Sequence, residues 1–290
     1  MGGEEGGGFA FLPYGSTWRR LRRIAHTGLV KAKINEYQPI LNERTQTFAS
    51  YLLDLTNSIE NNKQGVELTH LIQHYTMTSI LAIAFGDMCS FEPGDPVLHE
   101  AFMITDRSAN SMSPSEQLRE FYPILKTIWP IKKAKYIAVR RDIDAFYGKL
   151  LKQFKEEKRK QDCYVKDVLS LGELTDQQIT NFIAIFIGAG SDTTASTLEW
   201  MIAYLANYPE VQDKAFEEIK NKVGLSRLPN ASDGKNLLLF IINMKISLFI
   251  CICICIFFIY RNGPSLCTMH YYRNTPSSST CTLCYTTLYK

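Results

Sequence analysis

The stretch FIAIFIGAGSDTTASTLEW, Phe182 to Trp200, limits the fold more than any other part of the chain. Its frame is readable on both sides. Upstream, Thr175 can cap a helix and Gln178, three residues on, can bond back to the cap's amide, with Leu174 and Ile179 placed as a hydrophobic staple. Downstream, Asn207-Tyr208-Pro209 is a stop signal, because proline disfavours helical geometry in the residue before it. Between the two, only Gly188 and Gly190 weaken the pattern. The spacing predicts one helix of roughly 30 residues, about 45 Å long. A soluble domain accommodates such a helix most readily through its centre.

Two ordinary explanations fail. A membrane span needs about 20 mainly apolar residues, and Ser191, Asp192, Thr193 and Thr194 interrupt the run well before that. A phosphate-binding loop needs its glycines after a strand and a third glycine or a lysine, and neither follows Gly190. What remains is a buried helix with a local defect. Ala189 and Gly190 remove side-chain bulk, so a flat or bulky group can approach the backbone. Glycine within a helix costs about 1 kcal/mol relative to alanine, and threonine hydroxyls compete for carbonyls four residues back. Asp192 in apolar surroundings needs a partner or solvent. From these residues alone, a site shaped for a ligand and proton handling competes with a loosely packed helix crossing that carries incidental polar groups.

Ala189-Gly-Ser-Asp-Thr-Thr194 resembles the A/G-G-x-D/E-T-T signature of the cytochrome P450 haem-thiolate monooxygenases, carried on their long central helix. Tyr208 to Ile219 (YPEVQDKAFEEI) resembles the family's next helix, and Pro13 to Arg23 (PYGSTWRRLRR) is similar to its P-[FY]-G-x-x-W-R-x-x-R-[KR] helix. Residues 68–86 and 167–179 read like the segments between, so the resemblance covers about residues 9–236 in the family's order.

The resemblance implies a mainly α, partial cytochrome P450 fold: a long central helix packed by amphipathic helices, with the β-rich and haem-thiolate parts missing. It implies haem b as cofactor, an NADPH-dependent reductase as electron donor, insertion of one oxygen atom from dioxygen into a small apolar organic substrate, and the endoplasmic reticulum membrane as location. Carried over residue by residue, Ala189 and Gly190 would form the groove above the haem. Thr193 would hydrogen-bond the dioxygen or the water beside it, and Asp192 would relay protons. Ile185 and Phe186 would line the substrate side. Trp18 and Arg22, four apart on one helix face, would reach a haem propionate through charge-assisted hydrogen bonds. Arg19, Arg20 and Arg23 read as solvated, or as a basic surface for an acidic redox partner.

The remaining sequence supports an α-rich body. Tyr37, Ile40, Leu41, Phe48, Tyr51, Leu52 and Leu55 recur at helical spacing, and Leu68 to Phe85 is apolar almost all round, hence buried. Phe91 to Pro96 is a turn cluster, Phe102 to Tyr136 holds short apolar runs broken by prolines, and Arg140 to Gln161 reads as a charged, exposed helix. His26, His70, His74 and His99 show no metal-ligand spacing.

With 290 residues and a net charge of +3, the chain lacks a nucleic-acid-like basic excess. Met1 to Gly8 reads as a flexible start without an anchor, residues 9–236 as the helical domain, and 237–290 as a tail outside it. No glutamate follows Glu218, so the family's E-x-x-R pair is missing. The nearest match to its cysteine loop, Tyr260 to Met269, has Ser265 and Met269 where arginine and glycine belong. Cys267 is therefore a weak candidate and no metal ligand is assigned. The expectation is a truncated member, inactive as this chain. The alternative is a non-catalytic remnant, or a tail-anchored membrane or interaction protein using residues 237–260. The repeat Cys251-Ile-Cys-Ile-Cys-Ile256 and the abrupt shift in composition point instead to translated intron or frame-shifted sequence, and Cys267, His270, Cys281 and Cys284 offer a zinc-like spacing.

Overall fold

The computed structural model describes residues 12–30, 35–60, 68–88, 95–111, 122, 124, 133–157, 162–227, 229, 233, 268–271 and 283–286. Among them run eight α-helices: α1 (Ser16–Thr27), α2 (Gln38–Glu60), α3 (Leu68–Phe85), α4 (Pro96–Ser111), α5 (Lys133–Glu156), α6 (Tyr164–Ser170), α7 (Asp176–Asn207) and α8 (Pro209–Lys222). Two short strands, β1 (Thr268–Tyr271) and β2 (Leu283–Thr286), pair antiparallel with Thr268 opposite Thr286. The mainly helical expectation is met. Among the described residues no helix is long and apolar enough to cross a membrane. The apolar run over residues 237–260 and Cys267 lie outside the described residues.

The chain divides into two compact units, Met1–Ile34 with Ile80–Gly190, and Asn35–Ser79 with Ser191–Lys290. In the first, α1 lies against α6, and α4 against α5. Its core draws on Leu21 and Ile24 of α1, Leu81 and Phe85 of α3, Leu98 and Ile104 of α4, and Ile183 and Ile187 of α7. Phe85 meets Phe154 of α5 edge-on, with ring centroids 6.0 Å apart. In the second unit, Tyr75 of α3 packs against Phe48 of α2 at 4.9 Å and shares a buried 3.0 Å hydrogen bond with the Thr45 hydroxyl. Leu198 and Ile202 of α7, and Phe216 and Ile219 of α8, are buried in the same unit.

Local chemistry explains the helix boundaries. Pro96 opens α4, and the Val97 N–H donates to Asp95 Oδ1 at 2.7 Å, so the expected turn cluster ends in a helix cap. The predicted capping box of α7 forms in both directions. The Gln178 N–H donates to Thr175 Oγ1 at 3.3 Å, and the Thr175 N–H donates to Gln178 Oε1 at 3.1 Å. Asn207 closes the 32-residue helix, Tyr208 is the cap between helices, and Pro209 opens α8.

Two expectations need correction. The charged segment read over residues 140–161 is the helix α5, which starts at Lys133, ends at Glu156 and is not simply exposed. Phe146, Tyr147, Leu150, Leu151 and Phe154 form a buried stripe beneath its charges, the pattern of an amphipathic helix. On α2 the inward stripe is Leu41, Thr45, Phe48 and Leu52, while Tyr51 is 44% exposed. Tyr51 falls about 100° around the helix from the centre of that stripe.

Candidate functional site

The helix that the capping box starts and Pro209 ends is divided lengthwise between an inner and an outer face. Ile183, Ile187, Ser191, Ala195, Leu198 and Ile202 are buried, following the three- and four-residue spacing of a helix side. Ala189, Asp192, Thr193, Ser196, Trp200 and Tyr204 are exposed on the opposite side. Asp192 and Thr193 are exposed, with Ala189 one turn away on the same side of the helix. The helix remains α-helical throughout the Gly-Ser-Asp-Thr segment. Its Thr193 carbonyl accepts a 2.7 Å bond from the Thr197 hydroxyl, the back-bonding expected of such threonines.

Gly190 uses its missing side chain for packing. A Cβ there would come within 2.8 Å of Ile80 Cδ1 and 3.0 Å of Ile80 Cγ1 of α3. At Gly188 the same atom would meet only Thr105 Cγ2, at 3.9 Å, which is ordinary contact. The open surface at this point is therefore Ala189's, and Gly190 lets α3 approach. Ile185 and Phe186 are half-buried. The Phe186 ring stacks on Tyr164 with centroids 4.2 Å apart and planes 9° apart.

On α1, Trp18 and Arg22 come together as their spacing predicts. The Arg22 guanidinium lies 5.0 Å from the centre of the Trp18 ring, a cation–π contact beside the buried Leu21, Ile24 and Ala25 stripe. Arg22 is exposed. Of the neighbouring arginines, Arg19 lies over Tyr14, Arg23 pairs with the Glu173 carboxylate at 2.9 Å, and Arg20 donates to the Glu173 carbonyl at 3.3 Å. Arg20 and Arg23 are thus partly engaged within the fold.

Whether these residues suit haem divides into two questions. Arg22 and Trp18 offer a guanidinium and an indole N–H on one face, which suits the carboxylates at a porphyrin edge. The iron is a different matter. Cys163 is the cysteine whose side chain the structure describes, and it is 1% exposed. Burial pushes its thiol up to about 11, the opposite of what a thiolate ligand needs. Among the described residues no group of three His, Cys, Asp or Glu side chains could hold a metal. The described residues fit the edge of haem and do not fit its iron.

One ionisable residue escaped the sequence reading. Glu199 is 7% exposed, and burial raises its carboxyl to about 7. The signal was present: Ile187, Ser191, Ala195 and Glu199 recur every four residues along the inner face.

The family model described as Cytochrome P450 matches residues 2–240. A steroid 17-alpha-hydroxylase/17,20 lyase of Mesocricetus auratus is 28% identical over 81% of the chain and 48% of its own length. An isoflavone 2'-hydroxylase of Medicago truncatula is 28% identical over 76% of the chain and 46% of its own length. A cytochrome P450 monooxygenase of Clonostachys rogersoniana is 26% identical over 78% of the chain and 42% of its length. The chain spans about half the length of the curated relatives it matches.

Proposed function

Because the chain belongs to the cytochrome P450 family, we propose that it carries the proton-handling helix and the carboxylate-contacting helix of a haem-dependent monooxygenase. The reaction class is insertion of one oxygen atom into a small apolar organic substrate, with electrons from an NADPH-dependent reductase and the endoplasmic reticulum membrane as setting. The observation that carries this reading is α7 itself: the Ala-Gly-Ser-Asp-Thr-Thr run lies in one continuous helix, with Ala189, Asp192 and Thr193 on one exposed face.

Haem, when bound, supplies the iron at which dioxygen is reduced. The chain's own residues do the rest. Arg22 and Trp18 would hold a propionate by charge-assisted and indole N–H hydrogen bonds. Ala189 keeps the α7 surface low enough for a flat group to lie on it, and Gly190 beside it secures the helix against Ile80. The Thr193 hydroxyl holds a proton donor at the reacting face, and Asp192 passes protons to it from solvent, ordinary general-acid work. Ile185 borders the substrate side, and Phe186 supports it through its stack on Tyr164.

The Cys163 thiol favours a second reading for this chain by itself, a non-catalytic helical product, since the described residues supply no ligand for the iron. The reduced, carbon-monoxide difference spectrum of the expressed chain with added haem separates the two. A Soret band at the thiolate-ligated position supports a working monooxygenase. Haem binding that Arg22→Ala weakens, without that band, supports the second reading and keeps the α1 assignment. Haem uptake indifferent to Arg22→Ala overturns the assignment of α1.

A further inference from the structure

Two sets of contacts tie α1 to the first half of α7. The outer set is the pairing of Arg20 and Arg23 with Glu173, in the turn that leads into α7. Arg23 is well exposed, with 64% of its side chain accessible, and exposed pairs of this kind hold geometry weakly. The inner set centres on Tyr164, the first residue of α6, which is 2% exposed. Its hydroxyl donates to the Ala25 carbonyl of α1 at 3.3 Å. Its ring stacks on Phe186 of α7. It also fills the space left by Gly28 at the end of α1, where an added Cβ would sit 2.4 Å from Tyr164 Cδ2 and 3.1 Å from Cε2. A buried ring held at three points cannot slide without moving a helix, because close-packed interiors leave it no free volume.

The consequence reaches the outer turns of the same helix. Arg22 and Trp18 lie on α1 one and two turns before Ala25, and a helix moves as a rigid rod over that distance. We propose that Tyr164 is a positioning residue: seated between Gly28 and Phe186, it fixes how α1 lies on α7 and thereby where Arg22 meets the carboxylates of a porphyrin. This rests on the assignment of Arg22 and Trp18 as carboxylate contacts. Neither Tyr164 nor Gly28 touches the porphyrin; both act through Arg22.

The test uses the full chain and iron-free protoporphyrin IX, which presents the two propionates while leaving metal ligation out of the measurement. Affinity is read from porphyrin fluorescence for the parent chain, Arg22→Ala, Gly28→Ala, Tyr164→Phe and the double variants. Arg22→Ala should weaken binding about tenfold, the scale of one charge-assisted hydrogen bond. Gly28→Ala, which drives a methyl group into the Tyr164 ring, should weaken it comparably. In the Arg22→Ala background, Gly28→Ala should add less than about twofold, because the residue it acts through is gone. If Gly28→Ala does not fold by far-ultraviolet circular dichroism, Tyr164→Phe carries the same cycle: it deletes the hydroxyl donor to Ala25 and keeps the ring. Losses that multiply in the double variant overturn the positioning role while the Arg22 assignment stands. No effect of Arg22→Ala overturns both.

Discussion

The Glu199 carboxyl occupies a place on α7 that its neighbours Ala195, Leu198 and Ile202 fill with apolar atoms. Burial disfavours its anion, so the folded chain holds the proton up to about pH 7, whereas the unfolded chain releases it near the ordinary value of 4.5. Between those values the folded state binds more protons than the unfolded state, so stability falls as pH rises through the window. Above pH 7 the loss is complete and is on the order of 3 kcal/mol. Glu199→Gln keeps the shape and removes the ionisation. Urea melts at pH 5 and pH 8 should show it close to the parent at the lower pH and clearly more stable at the higher. Equal pH dependence in the two chains would remove Glu199 as the cause. The glycines of α7 divide on the same kind of argument. Gly188→Ala meets only an ordinary contact with Thr105 and should stabilise the chain by about 1 kcal/mol through helix propensity. Gly190→Ala gains the same propensity but forces Ile80 aside, and overpacking costs about 1–3 kcal/mol. Its melting temperature should therefore stay level or fall, and the loss should be smaller in an Ile80→Val background, which removes the Cδ1 methyl group nearest the added Cβ.

At the scale of elements, α7 was the most legible part of the chain because its limits are set by local chemistry. Thr175 with Gln178 and Tyr208 with Pro209 act within a few residues of themselves, so no knowledge of the fold is needed to place them. Thr175→Ala should cost about 1 kcal/mol in a urea melt, the usual value of an N-cap, and Gln178→Ala less, because it leaves the threonine bond in place. A larger cost for the glutamine would mean that the box matters for packing and not for capping. The stripe on α5 was less legible, because Lys149, Lys152 and Lys155 interleave with Leu150, Leu151 and Phe154, and charge dominates the reading of such a segment. On the candidate stretch of α7 the residues sharing a face were legible, and their exposure was not. Periodicity identifies which residues share the Ala189, Asp192 and Thr193 face, but what covers a face depends on other elements. The role of Phe186 was hidden for the same reason: its partner Tyr164 is distant in sequence and belongs to another helix.

For the molecule as a whole, the question is whether a fold that spans about half of its relatives' length can hold an iron-bearing cofactor with the groups it describes. Cys163 is where that question becomes measurable. Its thiol is buried at the N-cap of α6, and desolvation is the largest influence on it, outweighing the two backbone hydrogen bonds that favour the anion. A thiol pushed up to about 11 is almost wholly protonated at neutral pH, and a protonated thiol neither ligates iron strongly nor reacts readily with disulfides. Cys163→Ser should therefore leave the haem titration of the native chain unchanged. It should also leave the number of fast-reacting thiols unchanged, whereas in denaturant the parent should show one thiol more than the variant. If Cys163→Ser abolished a thiolate-type Soret band, α6 would have to open to deliver the sulfur, and the tight seat of Tyr164 between Gly28 and Phe186 would have to break with it. That coupling makes the outcome decisive. A ligand at Cys163 would require the buried start of α6 to open, so hydrogen exchange of the α1 amides with and without haem would report the same choice independently.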